Sequence, residues 1–343
     1  MRFEVNINNF DRTEWERCVR QFTDYSIYQT WPYQQVRAEM EGQEISRAIV
    51  KDENDNVVVM CQVRIKHVKL LRLKIGYVQF GPLVRGYEGT LKCDVESLKV
   101  LQSAYLGDKV NVLRVVPNIC NDESGKHLSD ILSSSGFQLV RSVKLYHTMM
   151  FPLDISEKEM RCRLGRGWRS SLRKAERMNI EIRHSVDEEC FQILDGLYKS
   201  AQNRKGFKGI DVSSFAKTQR LLSPGQKMNV VMAYDDGEPL TVDVTSNLGD
   251  TAVGIFQASS QKGLKLGSSY LVWWHALLAA KRAGMKRYDL GGVDPDKNPN
   301  VYQFKARMGG EDAYYVGAFE ATTNTIIKNM WHIGEKIYRI IKK

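Results

Sequence analysis

The sequence predicts two related α+β domains in tandem. Its 343 residues are enough for two domains of about 100–200 residues each. The same order of predicted elements, namely a hairpin, a strand, a helix and a further strand, occurs in both halves of the chain. With 43% hydrophobic and 26% charged residues, the composition is that of a globular protein, which excludes wholesale disorder and collagen-like repeats.

The first half alternates strand and helix patterns. Residues 1–7 alternate apolar and polar side chains as a strand does. A helix is expected within Asn8–Thr23. A second helix begins at Thr30-Trp31-Pro32, with proline in its first turn. A hairpin follows around the polar turn Asp52–Asn56. The other predicted elements are strands at Ile45–Val50, Val57–Ile65, Ile75–Phe80, Val110–Val116 and Val143–Phe151, and helices at Ser97–Tyr105 and near Leu128–Ser133.

The second half repeats this order. A hairpin turns at Asp235–Glu238, and a long helix over Ser268–Ala283 is closed by Gly284. Its predicted strands are Met228–Tyr234, Leu240–Val244, Ala252–Phe256 and Arg287–Leu290. The boundary is expected near Pro152–Glu159, which predicts domains over 1–153 and 154–320 and a C-terminal helix over 321–343.

Charge and cysteine usage narrow the class of protein. Fifty basic and 40 acidic side chains give a net charge of +10, which favours phosphates, nucleic acid or an anionic membrane surface as partners. The six cysteines are scattered with no C-x-x-C pair, which indicates reduced thiols in a cytosolic protein. The histidines do not cluster, so we expect no metal site. No apolar run approaches the ~20 residues that span a bilayer.

The segment Arg161–Arg177 predicts a basic amphipathic helix. Basic side chains recur at helical spacing along one face: Arg163, Arg166, Arg169, Arg173 and Arg177. The opposite apolar stripe is Leu164, Trp168, Leu172, Ala175 and Met178. Such a face is either a phosphate-binding ridge, for RNA or a nucleotide-linked substrate, or a solvated surface.

Two glycine-containing segments are further candidates. Lys262–Ser269 lies between a strand and a helix, where glycine lets backbone N–H groups approach an anion. It loosely resembles the pyrophosphate loop of GNAT acyltransferases, but its spacing is not the standard glycine-rich one, and a plain tight turn before a helix is the interpretation that we favour. In the second segment, Asp289 and Gly291-Gly292 precede a short helix with Lys305 and Arg307. Lys305 could stabilise an oxyanion there, or be a solvated lysine beside a structural loop.

The C-terminal segment Ile326–Lys343 predicts another basic amphipathic helix. Its isoleucines and aromatic residues are interleaved with lysine and arginine. Such a helix can lie on an anionic bilayer. Docking of its apolar face on its own domain is the interpretation that we favour.

Taken together, these motifs resemble the FemABX family, whose members include peptidoglycan-bridge aminoacyltransferases. The resemblance is strongest over residues 261–320 and spans nearly the whole chain. The segments that carry it are Tyr270–Trp274, Ala279–Gly284, Arg287–Gly292, Tyr302–Lys305, Gly309–Glu311, Trp168–Arg177, Gln29–Trp31 with Arg37, and Gly81–Val84. It implies two GNAT-like domains, with the C-terminal helix packing back on the first, and no metal or cofactor.

The resemblance also assigns roles to residues. Lys305 matches the lysine that would stabilise the oxyanion. Residues implied to bind the acceptor substrate are Arg37, Arg204, Phe256, Asp289, Gly291, Gly292, Tyr302 and Arg307. Residues expected to bind the tRNA donor are Arg166, Arg169, Arg173, Lys174, Lys262 and Lys265. Arg204 falls in Gln202–Phe207, where the family places an arginine on the phosphates of the precursor, and Arg37 stands where we would expect lysine.

The function implied by this resemblance is transfer of an amino acid from aminoacyl-tRNA to an amino group of a UDP- or lipid-linked muropeptide precursor. Such an enzyme would build cell-wall bridges as a cytoplasmic monomer, with a peripheral contact to the inner membrane surface. One alternative is an acyl-CoA-dependent N-acyltransferase, in polysaccharide biosynthesis for example. The other is a non-catalytic protein that binds RNA or a membrane surface.

Overall fold

The chain folds into two α+β units, which the computed structural model describes over residues 2–205 and 211–341. Unit 1 is formed by residues 1–146 and 314–343, and unit 2 by residues 147–313. The prediction of two tandem α+β domains is thereby confirmed.

Unit 1 begins with a strand, two helices and a long hairpin. Its first stretch contains β1 (Glu4–Ile7), α1 (Arg12–Val19), α2 (Trp31–Glu41), β2 (Glu44–Lys51), β3 (Val57–Val68), β4 (Leu73–Gln79), α3 (Val95–Tyr105), β5 (Val112–Val116), α4 (Glu123–Ser134) and β6 (Gln138–Leu139). A single-turn 3-10 helix, Lys69–Leu71, connects β3 to β4.

Unit 2 follows without a break. It contains β7 (His147–Pro152), α5 (Glu157–Arg163), α6 (Arg166–Glu176), β8 (Glu181–Ser185), α7 (Cys190–Lys205), α8 (Val212–Leu221), β9 (Asn229–Asp235), β10 (Glu238–Leu248), β11 (Thr251–Ser259), α9 (Gln261–Leu266), α10 (Ser268–Arg282), β12 (Arg287–Asp289), α11 (Pro299–Arg307) and β13 (Glu311–Tyr314). The chain then returns to unit 1 with β14 (Phe319–Thr322) and α12 (Thr325–Ile341).

Across the described residues, each unit is built on one seven-stranded mixed sheet. The strand orders are β1-β2-β3-β4-β5-β14-β6 and β13-β7-β12-β11-β10-β9-β8. Both sheets contain a single parallel pair at the same place, β4–β5 and β11–β12, and each pair is joined by a helical crossover. The next strand, β14 or β7, is antiparallel. The two sheets therefore repeat one pairing pattern.

Local sequence signals explain several boundaries. The hydroxyl of Thr30 accepts a hydrogen bond from the backbone N–H of Tyr33, with Pro32 in the first turn of α2, and Gly42 ends that helix at φ +61°. At the β2–β3 turn, the carboxylate of Asp52 accepts from the backbone N–H groups of Asn54 and Asn56, at 2.9 Å each. The hairpin and the helix start predicted here are confirmed.

Each unit has its own hydrophobic core. In unit 1, α3 and α4 cover the sheet through buried side chains such as Leu98 and Leu128. In unit 2, α6 and α10 cover the sheet, with Leu172 and Val272 fully buried. None of the helices in the described part of the chain combines the length and hydropathy needed to cross a bilayer.

The unit boundaries lie seven residues before the expected ones, after Tyr146 and after Ala313. Strand β7 starts at His147, rather than near Val143, and pairs with β12 in the second sheet. Strand β14, which the sequence did not indicate, pairs with β5 in the first sheet. The strand with which β7 or β14 pairs thus determines the unit to which that segment belongs.

The C-terminal helix packs on unit 1, as predicted. Ile327 and Trp331 of α12 contact a buried cluster of Leu73, Ile75 and Val112. The apolar residues of strands β4 and β5 therefore provide the surface on which this helix docks.

Candidate functional site

The side chain of Lys305 is anchored at the end of α11. Its Nζ donates to the backbone carbonyls of Gly291 and Gly292, at 2.8 and 3.2 Å. A lysine ammonium has three N–H donors. Among the described residues, these two carbonyls are its hydrogen-bond acceptors, so one donor remains for a ligand. The residues that the sequence predicted to act together, Lys305 and the double glycine, are therefore in contact.

The loop that receives Lys305 is fixed by Asp289, the last residue of β12. The Asp289 carboxylate is buried and accepts from the hydroxyl of Thr148 and, at 2.8 Å, from the backbone N–H of Gly291. Gly291 has φ +82°, and a Cβ there would lie 3.0 Å from the carbonyl oxygen of Gly254. Glycine is required here because both the conformation and the space exclude a side chain.

A second buried carboxyl, Asp243 on β10, lies near this site and was not predicted from the sequence. It accepts from the hydroxyl of Thr245 at 2.9 Å, and that hydroxyl also pairs with the Tyr288 phenol at 2.6 Å. Its other oxygen, Oδ1, has no hydrogen-bond partner among the described residues. The sequence signal that could have indicated this carboxyl is a single acid within the apolar strand Leu240–Val244.

Burial and charge shift the ionisation of both groups. Burial raises the pKa of Asp243 to about 7, with Thr245 and Lys305 opposing that shift. Burial also lowers the pKa of Lys305 to about 8, although the carboxylates of Asp289 and Asp243 act in the opposite direction. At neutral pH Lys305 is mainly a cation, and it loses its proton just above that range.

Replacing Asp243 with asparagine is expected to lower the pKa of Lys305 further, because one of the two anions that favour the ammonium is removed. The pH at which Lys305 is half-acylated in competitive labelling, followed by peptide mass spectrometry, should move down. Asp195→Asn is the control, since Asp195 lies in an exposed pair with Lys199. An unchanged labelling pH in Asp243→Asn would contradict the coupling.

The same carboxyl gives a stability prediction with a defined sign. The pKa of Asp243 rises from 3.8 to about 7 on folding, so the native state holds a proton that the unfolded chain has lost. Its contribution to stability therefore falls as pH rises from about 4 to about 7. Asp243→Asn should flatten that part of the pH–stability curve.

The basic helix predicted over Arg161–Arg177 is two helices, α5 and α6, separated at Leu164-Gly165. A Cβ at Gly165 would lie 2.8 Å from the carbonyl oxygen of Arg307, which accepts a hydrogen bond from the Gly165 N–H at 2.8 Å. The apolar stripe is buried as predicted, except that Met178 is exposed. It lies beyond the end of α6, so the helical spacing no longer applies to it.

The exposed face of α6 is basic, and α6 adjoins the Lys305 helix. Among the described residues, no ion pair involves four predicted donor-binding cations: Arg166, Arg169, Arg173 and Lys174. By contrast, Arg161 pairs with Glu176 and Arg163 with Glu311. The ring of Trp168 lies 6.0 Å from that of Phe304 on α11. The helix α6 thus packs on the element that carries Lys305 through its apolar face and carries these cations on its exposed face.

The candidate phosphate-binding segment contains the short helix α9. The N–H of Gly263 donates to the Ser260 hydroxyl, and the N–H of Gly267 donates to the carbonyl of Leu264. A Cβ at Gly263 would lie 2.4 Å from the carbonyl oxygen of Leu240, so packing requires this glycine. The N–H groups of both glycines are thus already used, and the segment before α10 is structural, as the favoured interpretation expected, although it forms a short helix rather than a plain turn.

The two lysines of this segment differ. Lys262 pairs with Asp235 at 2.9 Å and with Glu238 at 2.8 Å, so its charge is compensated. Lys265 is exposed in the last turn of α9. Contact of either lysine with a donor stays a prediction.

Five of the expected substrate-binding residues lie outside the Lys305 contact: Arg37, Arg204, Phe256, Tyr302 and Arg307. Phe256 is buried against the rings of Tyr198 and Phe215, at 5.5 and 5.0 Å. Arg204, at the end of α7, donates to the carbonyl of Ser259 at 3.4 Å. Gly206 and Phe207, from the same predicted motif, lie outside the described residues.

Tyr302 and Arg307 are on α11 with Lys305. The Tyr302 hydroxyl donates to Asp312 at 3.1 Å, and the same carboxylate bonds His147 at 2.5 Å. Arg307 is exposed. In the described ranges, no three His, Cys, Asp or Glu side chains are grouped in a way that could hold a metal ion.

Arg37 belongs to unit 1, in a cluster rich in arginine. It pairs with Glu41, which also pairs with Arg64 at 3.0 Å. The guanidinium of Arg47 stacks on the Trp31 ring at 3.5 Å, and burial lowers its pKa to about 10. Two arginines, Arg37 and Arg64, thus share the carboxylate of Glu41. The Nε of Arg37 is buried without a hydrogen-bond partner among the described residues.

Comparisons with known proteins identify one family model that matches part of the chain. The model of the FemAB family matches residues 218–334, the range that contains Asp243, Asp289, Gly291 and Lys305. Comparison with curated proteins gives no significant match.

Solved structures show the same fold over most of the chain. The crystal structure of FemX superposes with a TM-score of 0.78 at 16% identity, covering 98% of this chain and 100% of that chain. A protein of unknown function from Bacteroides thetaiotaomicron gives 0.59 at 9% identity, covering 94% and 100%. The C-terminal domain of a putative lysylphosphatidylglycerol synthetase from Agrobacterium fabrum gives 0.53 at 12% identity, covering 95% and 96%. The resemblance to the FemABX family and the predicted fold of two α+β units are confirmed.

Proposed function

We propose, from the FemAB-family match of residues 218–334, that this protein transfers an amino acid from aminoacyl-tRNA to an amino group of a peptidoglycan precursor. The observation that carries the proposal is the anchored ammonium of Lys305, with one N–H free for a ligand. The helix α6, which packs on the Lys305 helix through Trp168, carries cations on its exposed face that form no ion pair among the described residues and would suit a polyanionic donor.

The chemistry requires stabilisation of one transient negative charge. The acceptor amine attacks the carbonyl carbon of the ester, a C–N bond forms, and the carbonyl oxygen becomes an oxyanion. Collapse breaks the C–O bond to the tRNA ribose, and the amine proton passes to that ribose oxygen. Two backbone carbonyls hold the Lys305 ammonium in place before the reaction starts, and its third N–H would stabilise the oxyanion.

For each proposed substrate, the protein carries positively charged side chains that would bind its phosphates. For the donor these are the α6 cations Arg166, Arg169, Arg173 and Lys174. For the diphosphate of a UDP- or lipid-linked acceptor the cation is Arg204 of unit 2. In unit 1, cations outnumber carboxylates in the cluster around Arg37. Such an enzyme would work in the cytoplasm as a monomer.

The deciding experiment is a donor titration followed by a transfer assay. Charged tRNA, uncharged tRNA and acetyl-CoA are titrated at one salt concentration, and transfer to muropeptide precursors is then measured with and without ribonuclease. We expect tighter binding of charged tRNA and loss of product after ribonuclease treatment. Product that survives ribonuclease would exclude tRNA as donor, and salt-sensitive RNA binding without product would identify a binding protein.

Removing two α6 cations tests the donor surface directly. Arg166→Ala combined with Arg173→Ala should weaken tRNA binding and reduce the slope of log affinity against log salt by about 0.9 for each phosphate that is no longer neutralised. Lys199→Ala is the control, because Lys199 is exposed on the same unit but paired with Asp195. An unchanged salt slope in the double variant would place the tRNA elsewhere.

An acyl-CoA donor is not favoured by the site. The GNAT-like pyrophosphate loop on which that alternative depended is replaced by α9, whose backbone donors bond within the chain.

A further inference from the structure

The C-terminal helix α12 has two apolar faces, and only one of them packs on unit 1. The inner face carries Ile327 and Trp331. At Gly334 the helix backbone comes so close to the 3-10 helix Lys69–Leu71 that a Cβ would lie 2.8 Å from Leu71 Cδ1. The inner face of α12 is therefore already occupied by its contacts with unit 1.

The outer face exposes a continuous apolar stripe. Ile326, Met330, Ile333 and Ile337 follow one another at intervals of four, three and four residues, and their exposed fractions are 72%, 39%, 61% and 52%. Leu70, in the 3-10 helix against which α12 packs, is 94% exposed. We call these five side chains the outer stripe. A cluster of this kind on a protein surface marks an interaction site.

The charges around the outer stripe have one sign. Residues 66–74 and 325–341 together contain seven lysines and arginines and one acid, Glu335. The carboxylate of Glu335 is bound by Arg114, at 2.7 and 2.9 Å. Lys69, Arg72 and Lys336 are exposed. A partner that binds the outer stripe must therefore have an apolar region that receives these side chains and an anionic region that faces the surrounding cations.

We infer that the outer stripe and its basic surroundings bind an anionic phospholipid bilayer, with α12 lying in the plane of the membrane surface. An apolar helix face flanked by lysine and arginine matches the interface between acyl chains and anionic headgroups. The stripe projects from one side of a helix, and the acid of this region, Glu335, is already paired within the protein. The inference uses no residue of the Lys305 site and does not depend on the proposed function.

Vesicle co-sedimentation of the full chain tests this inference. Vesicles of phosphatidylcholine with about one-third phosphatidylglycerol should bind the protein at least about tenfold more tightly than phosphatidylcholine alone. Ile333→Glu combined with Ile337→Glu should lose that binding. Lys69→Glu combined with Arg72→Glu should lose the preference for phosphatidylglycerol. Circular dichroism checks the fold of each variant, since all four positions are exposed.

The matched control is Val186→Glu. Val186 is 48% exposed on unit 2 and is followed in sequence by three acids, Asp187–Glu189, so it has about the exposure of Ile337 without the basic surroundings. The variant should bind vesicles as the parent does. Equal binding to both kinds of vesicle, or binding unaffected by the Ile333/Ile337 change, would overturn the inference. So would a concentration-dependent dimer, seen by light scattering, that the same change dissociates, because the stripe would then join two copies of the chain.

Discussion

Replacing Lys305 with alanine is expected to lower turnover about 10²–10³-fold while leaving the fold intact, because a donor aimed at a developing oxyanion is removed. The loss should appear in kcat, since the charge that Lys305 meets exists only in the transition state. Steady-state transfer assays with saturating aminoacyl-tRNA and precursor would measure it. Turnover should also decline above pH about 8 in the parent enzyme, as the Lys305 ammonium loses its proton.

Lys281 is a close control for Lys305. Its Nζ also donates to two backbone carbonyls of unit 2, those of Leu153 and Ile155 at 2.9 and 2.6 Å. Lys281→Ala therefore removes the same kind of hydrogen bond from a different place, and its effect should be confined to stability. Equal losses of turnover in the two variants would show that Lys305 acts only on the structure.

Replacing Glu320 with alanine is expected to destabilise unit 1 by about 1–3 kcal/mol, because Arg114, Trp331 and His332 lose a buried acceptor, although Arg114 keeps its bonds to Glu335. Glu320 on β14 is buried and accepts from Arg114 at 2.6 Å, from the Trp331 indole at 3.0 Å and from His332 at 2.7 Å. It thus connects β5 to β14 and both to α12. Urea unfolding would show the loss, and hydrogen exchange should increase first in α12.

The control for Glu320 is an exposed ion pair of the same unit. Glu96 and Lys99 lie 2.8 Å apart on the surface of α3, and Glu96→Ala should cost less than about 1 kcal/mol. A loss as small as this in Glu320→Ala would contradict the view that the buried carboxylate holds the C-terminal helix.

Much of the candidate site could be predicted from the sequence because its key parts are close in the chain. Gly291, Gly292 and Lys305 are separated by one short loop and one helix, and the motif that contains them was recognised directly. Asp243 escaped prediction because nothing near it in sequence indicates that Tyr288 and Lys305 pack against it. The ion pairs of Lys262 could not be predicted for a related reason, since its carboxylate partners belong to the preceding hairpin.

The sequence by itself determined the local elements: the β2–β3 hairpin, the start of α2 and the long helix α10, each governed by side-chain period, caps and turn residues within a few positions. Only the tertiary structure decided that β14 joins the first sheet, that Glu320 meets Arg114 across 206 residues, and that α6 packs on α11 and carries cations on its exposed face. Backbone hydrogen bonds between strands are the same for every sequence, so the pairing partner is selected by packing over the whole unit.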